Sequence, residues 1–158
     1  MRRPDMRSAM VLSITVVLGC SASGTQVAAG GAQSPPLFET SERCMACHNS
    51  LTTSSGEDVS IGTAWGATMM ANSARDPYWQ ASVRTETLDH PERAADIQDE
   101  CAVCHMPMMR YQAHANGERA EVFAHLPIDA GAEGATALAG DGVGCTLCHQ
   151  IIDAQFGR

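Results

Sequence analysis

Six of the seven cysteines fall into three copies of one arrangement: CMACH at Cys44, Cys47 and His48, CAVCH at Cys101, Cys104 and His105, and CTLCH at Cys145, Cys148 and His149. Residues three apart lie on one side of a helical turn, so the two thiols of each pair face the same way. Two such thiols can add across the two vinyl groups of one porphyrin, and the next residue turns an imidazole towards the iron. Competing uses of the cysteines fit less well. Disulfides require neither a repeated two-residue gap nor a histidine after each pair. Zinc ribbons take two pairs per metal and would orphan the third. Thioredoxin-like redox chemistry needs one pair beside a βαβ pattern, and that pattern is absent. The spacing therefore predicts three covalent haem c groups, held by the six cysteines, with His48, His105 and His149 as proximal ligands.

Each haem iron has a second axial face, and three histidines stand outside the motifs: His90, His114 and His125. His114 and His125 bracket the Ala-rich stretch AHANGERAEVFAH and are the stronger distal candidates. His114 follows His105 by nine residues with Pro107 between them, so donation to a neighbouring haem is easier than folding back onto the same one. His90, before Pro91, reads equally well as a solvated residue at a helix boundary. Thioether sulfur is the other common axial donor, which makes Met69 and Met70 weaker candidates. Met45, Met106, Met108 and Met109 are expected on porphyrin edges or at the surface.

The elements that must carry these residues read as helices joined by loops. Thr40 or Ser41 can cap a short helix through His48, after which NSLTTSSGEDVSIG is loop. A helix is predicted from about Ile61 to Ser73, with Ile61, Trp65 and Met69 on one face. Asp76-Pro77 supplies an N-cap and a first helical residue for the next segment. Pro91 to His105 reads as a helix carrying the second motif, with Ile97, Cys101, Cys104 and His105 on one face, and Pro107 ends it. DAGAEGATALAGDGVG reads as a Gly-rich loop before the third motif. No strand pattern stands out. The predicted fold is mainly α with long loops and little or no sheet. With only seven aromatic residues in the chain, the covalent haems are expected to fill a core that side chains alone would struggle to build.

Residues 1–19 read as a lipoprotein signal: a basic start, an eleven-residue apolar run too short to span a bilayer, and then Gly19-Cys20. Cys20 is the expected lipidation site, an ordinary secretory cleavage nearby being the alternative. Residues 20–37 read as a flexible tether and 38–158 as one trihaem domain. The chain has no lysine, and ten arginines face eighteen acidic residues, for a net charge of −8. Losing the signal would leave seven arginines against seventeen acids. So acidic a domain argues against nucleic-acid binding and towards redox protein partners with basic docking patches. The expected location is the periplasmic side of a membrane, attached through lipid, with Ser21 leaning towards the outer membrane.

MMANSARDPYWQASV, ECAVCHMPMMRYQAHANGERAEVFAHLP and GDGVGCTLCHQI together resemble a bacterial family of exported multihaem c-type cytochromes. The resemblance covers roughly residues 38–151. It implies covalent haem and electron transfer outside the cytoplasm, and it names no substrate. Members of such families are often longer, so the chain is expected to be either the N-terminal part of a larger multihaem protein or to have its third haem covered by something else. The rival expectation is a haem redox enzyme acting on a small nitrogen or sulfur compound. One iron would then keep an open distal face, with Arg84, Asp89 or Arg93 as acid–base groups nearby.

Overall fold

The computed structural model describes residues 33–155, and among them the chain is helical apart from one isolated β-bridge between Thr52 and Asp58. The expected signal, the Cys20 lipidation site and the start of the tether lie outside these residues. Seven α-helices follow in order: α1 Ser41–His48, α2 Ile61–Gly66, α3 Pro77–Asp89, α4 Ala94–His105, α5 Pro107–Ala115, α6 Gly134–Gly140 and α7 Cys145–His149. The first two motifs occupy the C-terminal ends of α1 and α4, and the third is the whole of α7.

Local chemistry sets several boundaries. The Asp76 carboxylate accepts from the Tyr78 N–H at 2.9 Å and Pro77 takes the first helical position, so α3 starts as predicted. The helix expected over residues 61–73 stops at Gly66 instead. There the Thr68 hydroxyl donates to the Trp65 carbonyl at 2.7 Å, and the Asn72 amide donates to the carbonyls of Gly66 and Thr68 at 2.9 Å. Side chains have taken the acceptors that a continuing helix would use. Met69 therefore leaves the face of Ile61 and Trp65 and stands 88% exposed. Pro107 ends α4, but it also opens α5, where a residue without an N–H costs nothing. α6 forms within the stretch read as loop, and Thr40 precedes α1 without a side-chain cap.

The core lies where α3, α4, α5 and α6 pack together. Met106, Met108 and Met109 are fully buried there, with Val83, Val122 and Ala102. Those three methionines were expected on porphyrin edges or at the surface. Flexible thioethers instead fill gaps between small residues such as Ala74, Ala102 and Ala139, so this part of the interior is built from protein alone. Residues 34–37, the end of the stretch read as tether, are tied to α5. Ser34 donates to the Asn116 side chain from both its N–H and its hydroxyl, and the Leu37 N–H donates to Gln112 at 2.8 Å.

Candidate functional site

All six motif cysteines in the described residues are free thiols, and the second of each pair, Cys47, Cys104 and Cys148, is exposed. The motif on α4 is the most firmly held. His105 Nδ1 lies 2.8 Å from the Ser73 carbonyl oxygen, which can only accept, so Nδ1 carries the proton. In the neutral ring Nε2 then holds the lone pair, ready for a metal, and the carbonyl behind it raises ligand basicity. Trp79 stacks on the same imidazole with centroids 4.2 Å apart and planes 4° from parallel. The Ser73 hydroxyl returns a bond to the His105 carbonyl at 3.0 Å. Burial, then the acidic neighbours Glu86 and Glu100, pushes the Cys101 thiol up.

Beneath this motif lies a charged network that spacing alone did not reveal. Asp99 is 7% exposed. Arg110 grips it from Nε and Nη2, at 3.1 and 2.8 Å from Oδ2. Its other oxygen accepts from the Ala120 N–H at 2.9 Å and meets His114 Nε2 at 2.6 Å. Burial alone would raise the Asp99 carboxyl. The Ala120, His114 and Arg110 bonds outweigh that and hold it below the usual carboxylate range. His114 thus spends Nε2 on an ionised carboxylate, and only Nδ1 is left for any other ligand.

The motifs on α1 and α7 hold each other. The Ser41 N–H and hydroxyl both donate to Asp141 Oδ2, at 2.9 and 2.8 Å. The Ser41 oxygen in turn accepts from the Cys145 N–H at 3.2 Å, and the Cys145 Sγ lies 3.4 Å from it. Ser41 and Cys44 are three apart on one face of α1, so the Cys44 thiol shares a cleft with Cys145. Burial first, then the neighbouring Cys145, pushes the Cys44 thiol up. Between these helices opens a cavity of about 280 Å³ lined by Cys44, Cys145, Cys148 and His149 with Trp65 and Met70. His48 and His149 are exposed, and neither ring makes a hydrogen bond among the described residues.

The segment leading into the third motif joins all three sites. Gly142 has φ +62°, and a Cβ there would come within 2.6 Å of the Met70 carbonyl and the Ser73 hydroxyl. The Val143 N–H donates to that Met70 carbonyl at 3.1 Å. Ser73 orients His105, Asp141 anchors α1, and Cys145 begins α7, so this segment meets the first motif directly and the second through Ser73.

The remaining expected ligands are scattered. His125 is half-buried, its Nδ1 3.1 Å from the Thr136 hydroxyl, beside a cavity of about 600 Å³ that Met109 and Arg119 also line. Burial lowers its pKa against the opposing pull of Glu121, which favours a neutral imidazole. His90 ends α3 exposed, with no side-chain hydrogen bond among the described residues. Of the groups considered for acid–base work, Arg84 lies over the Phe123 ring at 3.7 Å and Arg93 pairs with Asp96 at 2.9 Å, while Asp89 is exposed. Compared with known proteins, the chain matches no family model, no curated protein and no solved structure.

Proposed function

We propose that this chain is a multihaem c-type cytochrome that carries three covalent haems and passes electrons outside the cytoplasm. The observation that carries the reading is that three Cys-x-x-Cys-His helices carry free thiols, with α1 and α7 joined through Asp141 and Cys145 and the α4 motif linked to the same segment through Ser73. Cys44 and Cys47, Cys101 and Cys104, and Cys145 and Cys148 would hold the groups, with His48, His105 and His149 behind the irons. When bound, haem supplies one-electron chemistry at iron. The chain fixes His105 through Ser73 and Trp79, offers an apolar cleft beside Cys145 and Cys148, and packs the first and third motifs together. Among the described residues no three His, Cys, Asp or Glu side chains gather into a site for a bare metal ion, which fits thioether attachment better than a zinc ribbon.

His125 is the distal ligand we favour, because burial favours its neutral form and its Nδ1 is the engaged nitrogen; His90 has no side-chain hydrogen bond among the described residues, and His114 would have to use Nδ1. Met70 borders the third motif's cleft. Export, lipidation at Cys20 and attachment to the outer membrane complete the proposal. The acidic surface would meet a basic redox partner, and the exchange rate should fall as salt rises.

The test is spectroscopic. Denatured, acid-extracted protein should retain a c-type haem spectrum at three haems per chain, and the spectrum of the native reduced protein should not change under carbon monoxide. A haem that readily binds carbon monoxide would favour the enzyme reading. Colourless protein would overturn both.

A further inference from the structure

The contact between the first and third motifs has a consequence of its own. Cys44 and Cys145 lie roughly a hundred residues apart in sequence, yet α1 packs on α7, both cysteines line the same cavity, and Ser41, one turn before Cys44, sets its hydroxyl 3.4 Å from Cys145 Sγ. Each also has a partner three residues away in its own motif, Cys47 and Cys148, both exposed. Within a helical turn, side chains at that spacing share a face, but in this fold Ser41 brings the first cysteine of each motif to one side of a shared cleft. In the oxidising compartment to which the signal points, two neighbouring thiols left unalkylated are substrates for oxidation.

We propose that Cys44 and Cys145 form a disulfide in haem-free protein, a cross-link that closes the first and third motifs together and leaves Cys101 and Cys104 open. Two S–H bonds break and one S–S bond forms. The two electrons and two protons pass to a disulfide oxidant, small-molecule or protein, which leaves as two thiols. In the haem-free chain the bond needs only the fold and two free thiols. Its meaning for cofactor loading rests on the haem reading: a dithiol reductant would have to reopen the link before either motif could form its thioethers, so the two sites would load or fail as a unit. The protein-built core around Met106, Met108 and Met109 gives the haem-free chain an interior of its own.

The experiment uses the full chain produced in cells that lack c-type haem attachment. It is reduced, oxidised with glutathione disulfide, capped, and mapped by mass spectrometry of unreduced peptides, once in buffer and once in concentrated urea. In an unfolded chain, closing a loop of about a hundred residues is on the order of a hundredfold less favourable than closing a three-residue one. The expected result is a dominant Cys44–Cys145 peptide in buffer, at least about tenfold depleted in urea. Cys145→Ser should abolish it and Cys104→Ser should not. Links confined to Cys44–Cys47 and Cys145–Cys148 in buffer, or the same pattern with and without urea, would overturn the inference. The haem reading fails separately, by a bare mature chain from cells competent for haem attachment.

Discussion

The motif on α4 and the paired motifs on α1 and α7 use the same five-residue pattern but are held by different means. At α4 the protein does the positioning. His105 is clamped between a carbonyl and a stacked indole, and the helix beneath it is fastened by the Asp99–Arg110 pair, whose side chains are 10% and 16% exposed. At α1 and α7 the helices are short, His48 and His149 are exposed, and the two motifs are fastened mainly to each other through Ser41 and Asp141. One region is organised by its core. The other is organised by hydrogen bonds between its own segments, chiefly the Ser41–Asp141 joint, with Thr146 also donating to the Glu39 carbonyl at 2.8 Å.

That contrast can be broken most severely at Trp79, which is 8% exposed and belongs to both the core and the His105 stack. Trp79→Ala should cost about 3–5 kcal/mol in chemical denaturation of the full chain. Trp79→Phe keeps a ring over the imidazole and should recover much of the loss. If the alanine variant unfolds at the wild-type denaturant concentration, the α4 motif is not core-organised.

Asp99→Ala comes next. It strands Arg110, whose side chain is 84% withdrawn from solvent, and should destabilise by about 3 kcal/mol. The pH dependence has a definite sign. A carboxyl held below its ordinary value adds stability that is complete above the usual carboxylate range and is lost as pH falls through the folded-state value. Wild-type stability should therefore drop on the acid side of that range, and the variant should lose this component of the drop. A melting curve series from neutral to strongly acidic pH checks it.

Ser41→Ala should have the smallest effect, about 1–2 kcal/mol, because it removes one hydroxyl bond to Asp141 and the acceptor of the Cys145 N–H. Amide exchange at Cys145 should quicken while that within α4 stays unchanged. Equal acceleration in both regions would mean that they are not separately held.

How far these regions could be read beforehand follows the distance between interacting residues. The three motifs and the Asp76-Pro77 helix start are local patterns, visible in neighbouring letters. The Ser41–Asp141 joint spans 100 residues and the Asp99–Ala120 bond 21, so no spacing rule points to either. α2 was read too long because Thr68 and Asn72 bond to the backbone in a way hydrophobic periodicity does not register. α6 was hidden by its glycines, although packing against α5 and the buried Leu138 and Ala139 sustain it. Met106, Met108 and Met109, expected on porphyrin edges or at the surface, are buried in the core, because methionine suits a core and a porphyrin edge equally.

The central claim is that three equivalent motifs hold three covalent haems despite their different settings. An intact mass of the mature protein, isolated from cells that attach c-type haem, tests it most directly. The account predicts the lipidated polypeptide plus three haem masses that persist through denaturation, with iron at three atoms per chain. A mass equal to the polypeptide alone, or zinc in place of iron, would contradict it.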